Sequence, residues 1–286
     1  MVRPHGIKGK KRKTREEKYD REEVEEAKDT EAEVKESAKR VSIEKPTEEA
    51  QDKQEGEEDG VPDLVGIPIP RSDQNTKKPG VIFVLEKASL EVGKVGKSYQ
   101  LLNSDDHANF LRKNNKNPAD YRPDICHQAL LAILDSPVNK AGRLQAVYIR
   151  TEKGVLIEVK PHVRLPRTFK RFSGIMLQLL QQHKITAVGK REKLLELIKN
   201  PVTNYLPVNS RKIGFSYSSE KLIKMRKYVD SVGDDEDLVF VLGAMAHGKI
   251  ETDYIDDFIA ISGYPLSAAM CIGRITEALA DKWNIL

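Results

Sequence analysis

The sequence predicts an α/β protein with a mostly parallel β-sheet flanked by helices. Short, continuously apolar runs such as Val81–Leu85 and Leu238–Leu242 have the length and composition of strands buried on both faces. These runs alternate with longer segments that have helical signals, an order typical of sheets with parallel strands. In such sheets, ligands bind beyond the carboxyl ends of the strands, where Phe215, Gly243 and Ser262 fall.

The chain divides into three regions of different composition. Of its 286 residues, 48 are Lys or Arg and 44 are Asp or Glu, but residues 1–60 hold 15 basic and 19 acidic ones and few large apolar side chains. Such a segment cannot bury enough surface to offset its ordering entropy, so we expect a disordered charged tail. Residues 61–79 form a proline-rich linker, and residues 80–286 form the folded domain.

Several classes of protein are disfavoured. No apolar stretch has the length of a membrane span or of a signal-peptide core, which predicts a soluble chain that is not secreted and has no membrane partner. Cys126 and Cys271 are far apart, and the six His residues form no ligand motif, so we expect reduced thiols and no metal. The basic cluster Lys8–Arg15 is either a nuclear or nucleolar address, an arm that attracts RNA, or a solvated tail.

The first half of the domain shows alternating element signals. The strand from Val81 is followed by a predicted loop over 91–102 and by a helix that Ser104 caps and that runs to about Lys113. Pro123 in a first turn predicts the next helix, which ends at Ser136-Pro137. Two alternating runs then predict a hairpin of strands at 144–150 and 155–159.

Polar residues gather at the start of the helix that Pro123 opens. Asp124, His127 and Gln128 are spaced to share one side of that helix, with Arg122 at its mouth. Considered alone, Asp124 is more often an N-terminal cap, and His127 is more often a hydrogen-bonded structural residue.

A second basic group lies where the helix begins whose apolar stripe includes Phe172, Ile175 and Met176. The group consists of Arg164, Arg167, Lys170 and Arg171. Cations at a helix N-terminus oppose the helix dipole, so stability does not explain them. Arginine grips phosphate and stacks on bases, which favours RNA as the partner, although a solvated basic face is the simpler alternative.

The second half continues the alternation. The predicted elements are a helix at 190–199, a strand at 212–217, a helix at 219–229, the strand at 238–242, an apolar run at 258–261 and a helix at 267–282. Gly243, Gly248 and Lys249 have the spacing of a P-loop, but Ile250 stands where the magnesium-binding Ser or Thr belongs. A nucleotide hydrolase is therefore disfavoured. The glycines either let the backbone approach an uncharged ligand or only form turns.

Four motifs carry a resemblance to a known family. RPDICHQALLAILDSPVNKAG, VRLPRTFKRFSG, VLGAMAHGK and SGYPLSAA occur in order within residues 81–286. Together they resemble the eukaryotic and archaeal ribosome-biogenesis methyltransferases called the essential-for-mitotic-growth or nucleolar essential protein family. The resemblance implies an S-adenosylmethionine-dependent enzyme that methylates nitrogen 1 of a pseudouridine in small-subunit (18S) ribosomal RNA.

The resemblance also implies the architecture and the site. It implies a SPOUT-type fold with a C-terminal trefoil knot, and a homodimer with its cofactor site near the subunit interface. The implied cofactor-binding residues are Phe215, Ser216, Gly243, Gly248, Ile261, Ser262, Gly263, Tyr264, Pro265 and Leu266. The implied RNA-binding residues are Arg122, Arg164, Arg167 and Arg171.

Catalysis is expected to depend on Arg122 and Asp124. The resemblance implies that Asp124 holds Arg122 through a charge-assisted bond, and Asp124 is also one candidate for the base that deprotonates the target nitrogen. A hairpin of small-subunit rRNA, a nuclear and nucleolar location and pre-ribosomal assembly factors as partners are implied as well. The alternative function is that of an RNA-binding assembly factor without catalysis.

Overall fold

The computed structural model describes residues 78–189, 192–233, 235–251 and 253–286. The predicted charged tail at 1–60, the basic cluster within it and all of the predicted linker except residues 78 and 79 lie outside these ranges. Within the described residues, the strands are β1 (Val81–Ala88), β2 (Val92–Val95), β3 (Ser98–Leu101), β4 (Leu144–Thr151), β5 (Leu156–Val159), β6 (Lys184–Thr186), β7 (Lys193–Ile198), β8 (Ser210–Phe215), β9 (Asp237–Gly243) and β10 (Asp257–Ile259). The helices are α1 (Ser104–Lys113), α2 (Pro123–Leu134), α3 (Pro137–Lys140), α4 (Phe169–Gln182), α5 (Met225–Ser231) and α6 (Ala268–Lys282).

The main sheet has eight strands in the order β10-β8-β9-β1-β4-β5-β7-β6. The first five of these run parallel, whereas β5, β7 and β6 add antiparallel pairs at the other side. The predicted α/β fold with a mostly parallel sheet is therefore confirmed. Because the five parallel strands end at one side of the sheet, we call that side the C-terminal edge.

Both faces of the central strands are covered, which explains their continuous apolar runs. On one face, α2, α4, α5 and α6 pack on side chains such as Phe83 and Phe240, whose rings lie 5.6 Å apart. On the other face, the turn at 202–206 and the loop at 244–256 cover Val84 and Val239. The inner side of this loop is thereby packed against the sheet.

Three predictions of local structure were wrong. Residues 91–102 form the hairpin of β2 and β3 rather than a loop. The segment predicted as a helix at 190–199 contains strand β7, because Leu194 and Leu195 are buried in the sheet and β7 pairs with β5. The helix predicted at 219–229 begins only at Met225. In addition, Asn103 rather than Ser104 caps α1, and its side chain accepts a hydrogen bond from the N–H of Asp106.

The segment at 219–224 is extended because it bonds to the chain after β10. The N–H of Ala260 donates to the carbonyl of Lys221, and the N–H of Ile223 donates to the carbonyl of Ala260, both at 2.9 Å. The chain then turns through 261–266 into α6, which packs against α2 and α5. The segment at 219–224, which follows β8, and the chain after β10 therefore lie side by side.

Candidate functional site

A cavity of about 290 Å³ lies at the C-terminal edge, where β8, β9 and β10 end. Its walls come from residues that follow these three strands and from the first turns of α6. The lining residues are Phe215, Ser216, Tyr217, Leu242, Gly243, Met245, Ala246, His247, Gly248, Lys249, Ile250, Ile259, Ala260, Ile261, Ser262, Tyr264, Leu266, Ala268 and Cys271. The volume is close to the lower end of the roughly 300–1,000 Å³ common for small-molecule sites.

Glycine is favoured for different structural reasons at the last residue of β9, Gly243, and in the loop that follows it, at Gly248. A Cβ atom on Gly243 would lie 2.9 Å from Cε of Met245 and 3.5 Å from Cγ2 of Ile250. Gly248 has a φ of +119°, a conformation that residues with a side chain rarely adopt. The loop therefore keeps a bare backbone on the cavity wall at both positions.

The position of Ile250 argues against a P-loop. Its side chain is buried and packs with Val239 and Val241 of the sheet, so the place of a magnesium-binding hydroxyl is part of the core. A P-loop opens a helix at this point, whereas the described residues between 250 and 256 form no helix and lead into β10. The geometry does not favour a nucleotide hydrolase.

The second loop, after β10, is shaped by two serine hydroxyls. The hydroxyl of Ser262 accepts a hydrogen bond from the N–H of Tyr264 at 3.0 Å, and that of Ser267 caps α6 by accepting from the N–H of Met270 at 3.2 Å. The turn thus brings Ile261, Ser262, Tyr264 and Leu266 to the wall while α6 begins directly behind it.

Most of the lining side chains are apolar, but polar atoms of the backbone and side chains make up about half of the lining surface. Among the described residues, its ionisable side chains include His247 and Lys249 but no carboxylate. Burial raises the pKa of the Cys271 thiol, so this side chain is a neutral part of the wall. A cavity of this kind suits a ligand with a flat apolar part and a small polar or anionic end.

A buried polar cluster holds the glycine loop to the sheet. Glu86 on β1 is fully buried, its Oε1 accepts a hydrogen bond from the Tyr254 hydroxyl at 2.6 Å, and its carbonyl accepts from the N–H of Ala244 at 2.8 Å. Nη1 of Arg150 forms an ion pair with Glu251 and lies 3.6 Å from Oε2 of Glu86. Burial raises the pKa of Glu86, and the Tyr254 hydrogen bond and the Arg150 charge oppose this shift. Both ends of the loop are therefore tied to one buried side chain and its backbone.

Arg122 and Asp124 form a close pair beside the same edge. Nε and Nη2 of Arg122 donate to the two carboxylate oxygens of Asp124 at 2.8 and 2.7 Å. The N–H of Arg122 donates to the hydroxyl of Ser89, which follows β1, at 3.1 Å. The hydrogen bonds from Arg122 lower the pKa of Asp124, which keeps this carboxylate ionised and makes it a weak base.

The second basic group is exposed at the start of α4, with Arg164 and Arg167 before the helix and Lys170 and Arg171 in its first turn. Nη2 of Arg167 lies 3.1 Å from Oδ2 of Asp135, and the Arg167 side chain is 77% exposed. The segment is fixed by His127, whose Nε2 bonds to the carbonyl of Pro166 at 2.8 Å and whose ring stacks on Phe172 at 4.4 Å. His127 is thus a hydrogen-bonded structural residue, which is the simpler of the interpretations drawn from the sequence.

The structure brings some predicted site residues together and separates others. Of the ten predicted cofactor-binding residues, all except Gly263 and Pro265 line the cavity. Arg122 lies beside the C-terminal edge, but Arg164, Arg167 and Arg171 do not line the cavity. Because Arg167 pairs with Asp135, which follows the last residue of α2, the length of α2 separates it from Arg122. Twelve helical residues span about 18 Å.

Several lining residues were not predicted. Ala268 and Cys271 come from the start of α6, and Tyr217, Ile259 and Ala260 flank the predicted positions. The spacing of 268 and 271, one helical turn apart directly after a predicted ligand loop, is the signal that identifies the α6 pair. The Tyr254 partner of Glu86 has no comparable signal, since the two are 168 residues apart.

The sequence matches a known family of proteins and several of its members. The sequence model of a family described as EMG1/NEP1 methyltransferase matches residues 83–280. The ribosomal RNA small subunit methyltransferase NEP1 of Mus musculus is 50% identical over 206 residues, which cover 72% of this chain and 83% of the mouse protein. The ribosomal RNA small subunit methyltransferase nep-1 of Caenorhabditis elegans is 48% identical over 217 residues, or 76% of this chain and 93% of the worm protein.

A solved structure shares the fold. The crystal structure of Archaeoglobus fulgidus Nep1 bound to S-adenosylhomocysteine has a TM-score of 0.54 and 22% sequence identity to this chain. It covers 72% of this chain and 99% of the archaeal one.

Proposed function

The chain belongs to the EMG1/NEP1 methyltransferase family, and we propose that it uses S-adenosylmethionine to methylate nitrogen 1 of a pseudouridine in a small-subunit ribosomal RNA hairpin. The observation that carries the proposal is the cavity at the ends of β8, β9 and β10, walled by the two loops that the family resemblance singled out. Relatives named as small-subunit rRNA methyltransferases support the substrate class. The choice of pseudouridine rests on the family resemblance.

The residues of the cavity fit the proposed methyl donor. The apolar side chains of Phe215, Leu242 and Ile261 offer a surface for an adenine ring, and the bare backbone at Gly243 and Gly248 lets a ligand approach closely. Lys249 supplies a cation for the carboxylate of the amino-acid end. When bound, the donor supplies an electrophilic methyl group on a positively charged sulfur, which leaves as a neutral thioether once the methyl is transferred.

We propose that Arg122 binds the RNA and that Asp124 holds Arg122 in position. The two parallel hydrogen bonds fix the guanidinium plane, and a fixed guanidinium binds phosphate or stacks on a base with little further loss of freedom. Since Arg122 also lowers the pKa of Asp124, the carboxylate is better suited to positioning than to removing the proton of the target nitrogen. Positioning the nucleobase near the methyl group then supplies a large part of the rate.

We propose a homodimer, in which basic groups that lie apart in one subunit would contribute to one RNA-binding surface. Exposed apolar side chains beside the cavity support this assembly, because Leu222, Tyr264 and Met270 are 61%, 79% and 52% exposed. Leu222 bridges to Ala260, and Met270 lies in the first turn of α6, so the three surround one rim of the cavity. A partner that covers this rim would complete the cofactor site and add its own arginines to the RNA-binding surface.

We also propose the trefoil knot. Support comes from the chain after β10, where Ala260 bonds to both Lys221 and Ile223 before the chain enters α6. The segment at 219–224 would then be the loop through which the C-terminal helix is threaded. An experimental structure in which residues 260–266 pass outside that segment would contradict the knot.

We propose that the protein acts in the nucleus and nucleolus with pre-ribosomal assembly factors as partners. Lys8–Arg15, outside the described residues, is the candidate address. A fluorescent fusion of the full chain should concentrate in nucleoli, and replacement of the cluster by alanines should reduce that enrichment. Unchanged enrichment would remove this role from the cluster.

A methyl-transfer assay tests the proposed function. The purified protein is incubated with methyl-labelled S-adenosylmethionine and two RNA hairpins that differ only in having uridine or pseudouridine at one loop position. Label in the pseudouridine RNA alone is expected. The absence of label despite tight RNA binding would favour the second candidate, an assembly factor without catalysis, which the arginines outside the cavity support equally well.

A further inference from the structure

The hairpin of β2 and β3 forms a separate two-stranded sheet that does not join the main sheet. It follows β1, and its base is closed by the N–H of Leu102, which donates to the carbonyl of Glu91 at 2.8 Å. Its tip is a two-residue turn, Gly96-Lys97, with Gly96 at a φ of +63°. Since β1 ends at the C-terminal edge, the hairpin stands at the same edge as the cavity.

The outer half of the hairpin carries an unusual set of exposed side chains. Lys94 and Tyr99 are direct cross-strand partners, and Lys97 lies in the turn. Tyr99 is 56% exposed. Neither lysine forms an ion pair with any residue that the structure describes, and residues 92–101 contain no acid.

Folding does not account for this exposed group. Because side chains alternate along a strand, Lys94 and Tyr99 share one face with Val92 and Leu101. At the base, Leu101 is buried and Val92 packs on the core, whereas the same face further out leaves the core and stays open. An exposed aromatic ring beside two lysines without ion pairs is better explained by binding to a partner than by a contribution to the stability of the fold.

The surroundings connect the hairpin to the proposed RNA-binding residues. At its base, Glu91 accepts a hydrogen bond from the hydroxyl of Tyr121, the residue before Arg122, at 3.1 Å. Lys116 and Lys153 both pair with Glu91, so this carboxylate does not offset the positive charge of the tip. Strand β3 also lies against α4, the helix at whose start the second basic group lies. The hairpin therefore contacts both the segment that leads to Arg122 and the helix at whose start the second basic group lies.

We propose that the outer face of this hairpin is a second RNA-binding surface, on which Tyr99 stacks against an unpaired base and Lys94 and Lys97 bind phosphates. The inference rests on the proposed RNA substrate. Single-stranded RNA presents flat bases and a phosphate backbone together, which is the combination that an aromatic side chain between two lysines recognises. The surface extends the contact beyond the nucleotide that enters the cavity.

Binding of the loop-modified hairpin RNA by the full chain tests this surface. Tyr99→Ala should weaken binding about 5- to 100-fold, the usual effect of losing one base stack, and Tyr99→Phe should restore it. The double variant Lys94→Ala/Lys97→Ala should reduce the magnitude of the slope of log K against log salt by about 1.4, since each of the two lost phosphate contacts removes about 0.7. Lys227→Ala, an exposed charge on α5, is the control and should bind like the wild type.

A second measurement does not depend on variants. Ultraviolet cross-linking of the RNA to the wild-type protein, followed by mass spectrometry, should label the peptide that contains Tyr99. If the wild type binds RNA but the hairpin variants keep its affinity and salt slope, or if they change the oligomeric state instead, the hairpin surface is overturned and the proposed function stands. If the wild type neither binds nor methylates RNA, the proposed function itself is wrong.

Discussion

At the scale of single residues, Asp124 is the partner that orients the guanidinium of Arg122. By itself it has the signature of a helix cap, yet both carboxylate oxygens accept hydrogen bonds from Arg122. The pair is partly exposed, with side-chain exposures of 43% for Arg122 and 31% for Asp124. Its value is therefore geometric, because an exposed ion pair adds little to stability.

We expect Asp124→Asn to weaken RNA binding about 3- to 10-fold and to leave cofactor affinity unchanged, because a neutral amide holds the guanidinium less firmly. The double variant Arg122→Ala/Asp124→Asn should bind RNA no more weakly than Arg122→Ala alone, as expected when one residue acts through the other. Fluorescence anisotropy with the hairpin RNA measures both effects. Normal RNA binding with a large loss of the methylation rate would instead make Asp124 the base.

Sequence reasoning at this scale succeeds where a residue type answers a local need. The need for glycine at position 248 follows from its positive φ, and Gly243 was predicted at a strand exit. It fails where the partner is distant in sequence, as for Glu86 and Tyr254. The cap of α1 was misplaced by one residue because Asn103 and Ser104 are both good N-cap types.

At the scale of elements, β10 is tied to its neighbours by a cluster around Asp257, its first residue. Its carboxylate accepts hydrogen bonds from Tyr228 at 2.7 Å, Arg211 at 2.9 Å and Lys221 at 3.1 Å, which come from α5, β8 and the 219–224 segment. The hydrogen bond from Tyr228, followed by those from Lys221 and Arg211, lowers the pKa of Asp257 to about 2. One carboxylate thus joins the elements that surround the cavity.

The lowered pKa predicts an acid-sensitive contribution to stability. A carboxyl group whose pKa is lower in the folded chain than in the unfolded one stabilises the fold above its unfolded pKa of about 4 and loses this effect as the pH falls toward 2. Asp257→Asn should therefore lower the free energy of unfolding by about 1–3 kcal/mol at pH 7, and the difference from wild type should shrink below pH 4. Urea unfolding across this range measures the effect.

The control for this experiment is Asp230→Asn, which changes an exposed carboxylate on α5. It should have little effect on the free energy of unfolding at any pH. A constant gap between Asp257→Asn and wild type from pH 7 to pH 2 would show that the carboxylate charge does not act as described.

Element prediction was reliable for the buried parallel strands and poor at the side of the sheet. The pattern from Lys193 to Ile198 fits a helix as well as a strand, and only pairing with β5 decides between them. The β2–β3 hairpin did have a signal, since Gly96-Lys97 separates two short runs by the two residues that hairpin turns favour. The extended path of 219–224 depends on Ala260 and could not be deduced locally.

For the whole molecule, the distribution of charge and exposed apolar surface has functional consequences. The chain carries a formal net charge of +4, although residues 1–60 are acidic overall, so the folded domain is the basic part and is suited to RNA. Among the described residues, no helix is long and apolar enough to cross a membrane. The order of the strands in the sheet is a property of the complete chain, which local periodicity does not encode.

The apolar rim of the cavity predicts how the chain assembles. The wild-type protein should elute as a dimer in size-exclusion chromatography with light scattering, and Leu222→Glu should raise the dimer dissociation constant at least about tenfold by placing a charge in the interface. Val208→Glu is the control, because Val208 is 96% exposed and lies just before the start of β8, away from the C-terminal edge. A monomeric wild type, or equal dissociation of both variants, would contradict this interface.

The claim on which everything else depends is that the loops after β8, β9 and β10 hold the methyl donor. Calorimetric titration with S-adenosylhomocysteine should show wild-type binding and a loss of about 5- to 100-fold in Gly248→Ala, because a side chain at a φ of +119° costs roughly 1–3 kcal/mol of strain or moves the loop. Gly154→Ala places the same kind of strain, at a φ of +79°, in the turn between β4 and β5, and should keep wild-type affinity. If the wild type does not bind, or if Gly248→Ala binds as tightly as Gly154→Ala, the cavity is not the cofactor site.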